Sequence, residues 1–184
     1  MALSICVFCG SRSGKNPVNE VVARQLGLIM AAHGWQLVYG GGSVGLMGVV
    51  ARAVLEGGGA VVGVIPQALQ EAEVGLEDAT ELIVPQTLRE RKAIMDARSQ
   101  AFVALPGGYG TFEELLETIT LRQLGYHDKP IIVLNINGYY DPLIALFNHA
   151  IEQGFIRTEH ADLYQVVATV DEIVALLRPY EKMQ

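Results

Sequence analysis

A chain of 184 residues, 51% of them hydrophobic, can enclose a sizeable core, which excludes a disordered polymer. Its formal net charge of −7 comes without any run of lysine or arginine, which argues against a nucleic-acid partner and against an anionic membrane surface. An anionic ligand must therefore be drawn in by local geometry.

The first apolar run, 4–9, reads as a strand. It lacks a basic leader and runs into a glycine turn, so a secretory signal is not expected. No stretch has the length of a transmembrane helix, and the expected location is the cytoplasm. Cys6 and Cys9 are the only cysteines; three positions apart on a strand, they face opposite sides and read as buried, inert thiols. The turn that follows, Gly10 to Asn16, is a degenerate P-loop with Asn16 where a magnesium-binding hydroxyl belongs. An NTPase is not expected, although Ser11 or Arg12 could line a site at the end of this strand.

A helical pattern over 18–32 leads to a strand at 36–39 and then to Gly40-Gly41-Gly42-Ser43-Val44-Gly45, which opens a helix over 44–56. This matches a dinucleotide fingerprint, but the carboxylate expected about 20 residues further on is absent from Val64-Ile65-Pro66-Gln67. The turn is therefore either a plain tight turn or a cradle for a single phosphate. Continuous apolar character over 60–65 predicts a strand buried on both faces. A strand at 81–84 precedes a helix over 88–99, where Thr87 and Glu90 have capping-box spacing. Arg91 and Lys92 sit near the start of that helix, where cations are disfavoured, so each either faces solvent or answers a negative partner.

The strand at 101–105 delivers Pro106-Gly107-Gly108-Tyr109-Gly110-Thr111-Phe112-Glu113-Glu114 into a helix over 112–124. Glycines here let the backbone approach a ligand, and successive N–H groups can form an anion nest. Thr111 and Glu114 also have capping-box spacing, which would explain that pair without chemistry. A strand at 131–134, a helix over 142–153 begun by Asp141-Pro142, a strand at 165–168 and a helix over 171–177 begun by Thr169 and Glu172 complete the chain. His33, His127, His149 and His160 have no metal-ligand spacing, so no metal is expected. The alternation predicts an α/β fold in one domain, 1–184: a Rossmann-like open parallel sheet of about seven strands with helices on both faces. Ligands of such sheets bind beyond the carboxyl ends of the strands.

The segment Glu90-Arg91-Lys92-Ala93-Ile94-Met95 together with the motif 106–114 resembles the LONELY GUY (LOG) family of cytokinin riboside 5′-monophosphate phosphoribohydrolases, long mislabelled as lysine decarboxylases. The likeness extends to Phe8-Cys9-Gly10-Ser11, to 39–48, to 124–130 and to Asn137-Gly138-Tyr139-Tyr140. It implies hydrolysis of the N-glycosidic bond of an adenosine 5′-monophosphate, N6-substituted or plain, to free base and ribose 5-phosphate. It implies Arg91 and Glu114 as the catalytic pair. It further implies substrate contacts from Lys92, from Gly107, Gly108, Tyr109, Gly110, Thr111, Phe112 and Glu113, from Thr120 and from Glu73, and a homodimer with active sites near the subunit interface. Thr87-Leu88-Arg89 departs from the family's usual Met-His at this point, which bears on base preference. The phosphate is expected on the nest at Gly107–Thr111, with Gly41, Gly42 and Ser43 nearby. No metal or redox cofactor is expected. Two alternatives remain: a module that holds a nucleotide without catalysis, and an amino-acid decarboxylase, which would need a lysine for pyridoxal phosphate.

Overall fold

The computed structural model describes residues 2–73, 75–76 and 78–181. Seven parallel strands form one sheet in the order β4-β3-β2-β1-β5-β6-β7. They are β1 (Ser4–Phe8), β2 (Gln36–Tyr39), β3 (Val61–Val64), β4 (Glu81–Ile83), β5 (Ala101–Ala104), β6 (Ile131–Leu134) and β7 (Gln165–Val167). The helices are α1 (Val18–Ala32), α2 (Gly45–Glu56), α3 (Gln67–Glu73), α4 (Leu88–Ala97), α5 (Tyr109–Gln123), α6 (Asp141–Glu152) and α7 (Val170–Glu181). Short 3₁₀ helices lie at Ile136–Gly138 and Thr158–Leu163.

The central strands are buried on both faces, which is why their sequences read as unbroken apolar runs. One face packs under α1, α2 and α7 through Leu26, Met30, Trp35, Val50 and Ile173. The other packs under α4, α5 and α6 through Phe8, Met95, Phe102, Leu115 and Tyr140. Cys6 belongs to the second cluster and Cys9 to the first, as the strand alternation predicts. Both thiols are free and buried, and burial raises their pKa, so neither is a ready nucleophile. No described helix is long and apolar enough to cross a membrane.

Chain connection runs outward from β1 in one direction and from β5 in the other. The crevice between the carboxyl ends of β1 and β5 is thus the topological switch point, where open sheets of this kind hold ligands.

Three helix starts differ from expectation or test it. At α4 the capping box is present: Thr87 Oγ1 accepts from the Glu90 N–H at 3.1 Å and the Glu90 carboxylate accepts from the Thr87 N–H at 3.1 Å. At α6 the helix begins at Asp141 itself, whose carboxylate accepts from Asn135 Nδ2 at 2.7 Å and so ties down the preceding turn in place of capping. At α5 the capping-box reading fails. The N-cap is Gly108, in extended conformation and with no side-chain cap, so Thr111 is already inside the helix and Glu114 lies a turn beyond its start.

Candidate active site

At the switch point a cavity of about 430 Å³ is lined by Ser11, Arg12 and Ser13 from the loop after β1 and by Gly107, Gly108 and Tyr109 from the loop after β5. The two loops are tied together by the Gly10 N–H, which donates to Pro106 O at 3.1 Å. The first intrahelical bond of α5 runs from the Phe112 N–H to Gly108 O at 3.0 Å. The N–H groups of Tyr109, Gly110 and Thr111 therefore have no helical partner and carry the positive end of the helix dipole. A Cβ at Gly107 would collide with the Thr111 side chain and stand 2.9 Å from Gly10 N, so this position must be glycine for the loops to close. Two hydroxyls from the turn before α6 hold the loop from below. Tyr139 donates to Gly107 O, and Tyr140 donates to Leu105 O at 2.6 Å.

Glu114, only 7% exposed, hangs from α5 one turn below this nest. Arg91 from α4 meets it with Nη1 at 3.3 Å from the carboxylate. The same guanidinium donates through Nε to Val64 O at 3.0 Å and through Nη2 to Gly40 O at 3.4 Å. It thus ties the carboxyl ends of β2 and β3 to α5. A Cβ at Gly40 would strike this guanidinium, which gives the first glycine of the triple a reason unrelated to any ligand. At least three of the five donors of Arg91 are engaged by the protein, which fixes the guanidinium against Glu114 and the strand ends.

Lys92 forms ion pairs with Glu113 and Glu117 on α5. Burial works to lower its pKa, yet the hydrogen bonds and charges of the two carboxylates raise it above the ordinary lysine value. An ammonium held charged in this way is unsuited to forming a Schiff base, which weighs against pyridoxal-phosphate chemistry.

Two further hollows flank the pair. A pocket of about 220 Å³ between α4 and α5 sets Glu114 and Thr118 against Phe8, Met95 and Phe102. A more open depression of about 780 Å³ is lined by Arg89, Lys92, Phe112, Glu113 and Thr120, and by Tyr109, which it shares with the switch-point cavity. The structure therefore brings Arg91, Lys92, Glu113 and Glu114 together near the loop Gly107–Phe112, while Thr120 lies about three turns further along α5 on the open depression. Gly41, Gly42 and Ser43 line none of these three hollows. Gly41 O instead accepts from the Leu76 N–H at 3.1 Å, Gly42 pairs with Gly75, and Ser43 O accepts from Arg52 at 2.9 Å. The side chain of Glu73, at the end of α3, lies outside the described residues. Among the described residues no group of three or more His, Cys, Asp or Glu is arranged to hold a metal ion.

Fold and site together define a Rossmann-like α/β protein with a crevice at its switch point and a buried Arg–Glu pair nearby. A family model described as possible lysine decarboxylase matches residues 47–177. The probable cytokinin riboside 5′-monophosphate phosphoribohydrolase LOGL1 of Oryza sativa subsp. japonica is 51% identical over 178 residues, covering 97% of this chain and 78% of the relative. The cytokinin riboside 5′-monophosphate phosphoribohydrolase LOG4 of Arabidopsis thaliana is 47% identical over 176 residues, covering 96% and 82%. Among solved structures, the molybdenum cofactor binding protein from the phototrophic bacterium Rippkaea orientalis shares the fold with a TM-score of 0.74 at 21% identity, covering 98% of each chain. The chain belongs to the LOG family of phosphoribohydrolases, the family that the lysine decarboxylase description also denotes.

Proposed function

We propose that this chain hydrolyses the N-glycosidic bond of adenosine 5′-monophosphates, plain or N6-substituted, releasing the base and ribose 5-phosphate. The observation that carries this reading is the placement of the Glu114 carboxylate, held by Arg91, one helical turn from an uncapped nest of backbone N–H groups. The names of the curated relatives support the same reaction.

In this mechanism the phosphate sits on the N–H groups of Tyr109, Gly110 and Thr111, with its charge answered by the helix dipole. Anchoring it there sets the ribose over Glu114, so binding energy from a non-reacting group positions the reacting carbon. As the base departs, positive charge grows on the ribose ring, and the carboxylate stabilises it. The same carboxylate orients a water, which adds to the anomeric carbon as the C–N bond breaks; its hydroxyl ends on the sugar and, in net terms, its other proton on the nitrogen of the departing base. Arg91 keeps Glu114 in place and favours its ionised form. Lys92, Phe112, Glu113 and Thr120 supply further substrate contacts around the hollows, and the family resemblance adds Glu73. The test is incubation with AMP, N6-isopentenyl AMP, adenosine and ATP, measuring free base and ribose 5-phosphate. The two monophosphates are cleaved and adenosine and ATP are poor substrates; equal rates on adenosine would remove the role given to the phosphate nest.

We also infer a two-fold homodimer. Leu116 and Leu124 on the outer side of α5, and Leu146 and Phe155 near α6, are exposed, and α6 has no fully buried side chain among the described residues. Light scattering at micromolar concentration gives twice the chain mass on this reading, and a monomer mass contradicts it.

A further inference from the structure

We infer that Arg12 is the side chain that reads the substrate's phosphate charge, clamping the anion against the α5 nest from the opposite wall of the switch-point cavity. The inference rests on the monophosphate reading above and adds a residue to it.

The first observation is the crevice itself. One wall consists of Gly107, Gly108 and Tyr109, the first residue of α5; the facing wall is the loop Ser11–Ser13. The second, independent observation is Thr111. Its side chain is 3% exposed and faces Gly107, yet its hydroxyl has no partner among the described residues. Thr118 and Thr120 on the same helix donate to the carbonyls of Glu114 and Leu116, one turn back, each at 2.8 Å. The equivalent carbonyl for Thr111 is that of Gly107, and it is taken by the Tyr139 hydroxyl. A buried hydroxyl is thereby left unengaged against Gly107, a residue of the cavity wall, beside N–H groups that have no helical partner, and such donors suit an oxyanion.

The third observation is the state of Arg12. The chain has 20 Asp and Glu against 13 Lys and Arg, and several exposed arginines find carboxylates: Arg24 with Glu56, Arg98 with Glu81, Arg157 with Glu159. Arg12 has no ion pair or hydrogen bond among the described residues. Its loop is nevertheless held in place. Asn19 Nδ2 donates to Ser13 O at 3.0 Å, the Met47 N–H donates to Gly10 O at 3.3 Å, and Gly45 packs so closely on Ser11 that a Cβ there would collide with the loop. An unneutralised guanidinium on an anchored loop, facing neutral donors across one cavity, is complementary to a phosphate monoester. The fork geometry of arginine suits its paired oxygens.

The experiment compares the parent, Arg12→Ala and Arg12→Lys in AMP hydrolysis and in binding of inorganic phosphate by calorimetry. For Arg12→Ala, KM for AMP rises about tenfold to a hundredfold, and phosphate binding weakens by a similar factor, as expected for loss of a charged hydrogen-bond partner. Arg12→Lys recovers part of both losses, and the melting temperature stays at the parental value because the side chain is exposed. Unchanged KM and unchanged phosphate affinity in Arg12→Ala would overturn the inference and leave the hydrolase reading intact. If the parent cleaves no nucleotide, the hydrolase reading fails alone. Phosphate calorimetry then decides Arg12: weaker binding by Arg12→Ala supports it, and equal binding overturns it.

Discussion

Glu114→Gln loses roughly a hundredfold to a thousandfold in kcat on AMP, the usual effect of removing one positioned electrostatic group, while melting within a few degrees of the parent. The carboxamide keeps the size of the side chain and still accepts a hydrogen bond from Arg91, whose other donors remain on Val64 O and Gly40 O. Helix α5 does not depend on this residue for its start, because its N-cap is Gly108 and Glu114 lies beyond the first turn. The loss therefore falls on the developing charge of the ribose and leaves the fold nearly untouched. Steady-state release of adenine, measured beside thermal melting, separates the two effects. Parental turnover in this variant would remove Glu114 from the chemistry and favour a module that holds the nucleotide without cleaving it.

Arg91→Ala behaves differently from a simple catalytic knockout. It abolishes turnover to a similar degree, through lost orientation of Glu114 and loss of the charge that favours its ionised form. It also destabilises the protein. A nearly buried carboxylate loses its cation, and the Val64 and Gly40 carbonyls lose a shared donor. Breaking one side of such a buried pair costs about 3–5 kcal/mol, and in a chain of this size each kcal/mol moves Tm by roughly 2–4 °C. A drop of about 6–20 °C in melting temperature follows from those two ranges. Arg91→Lys keeps the charge but cannot reach three acceptors at once, so it recovers more stability than activity. An Arg91→Ala variant that melts with the parent would show that the guanidinium does not brace the ends of β2 and β3.

Much of this arrangement can be read from the chain, because the signals that carry it are local. Continuous apolar runs announce strands covered on both faces, and the spacing from Arg91 to Glu114 survives the fold as a direct contact at 3.3 Å. The features that escape sequence reading depend on what meets what in space. Helix α3 is one, at seven residues too short to show a period. The start of α5 is another. The spacing of Thr111 and Glu114 imitates a capping box, but the N-cap is Gly108, so the helix is already under way at Thr111. Gly40 reads as part of a phosphate loop, whereas its missing side chain makes room for the Arg91 guanidinium. The supporting hydroxyls of Tyr139 and Tyr140 lie over 30 residues from the carbonyls they hold, and no local pattern marks that pairing.

The central claim is that water cleaves the bond between base and ribose while Glu114 stands beneath it. The most direct measurement is AMP turnover in heavy-oxygen water, with mass analysis of both products. The account predicts a single heavy oxygen on ribose 5-phosphate, none on adenine, and almost no product of either kind from Glu114→Gln. Labelled phosphate with unlabelled adenosine, or intact AMP recovered from a parent protein that binds it, would contradict the account.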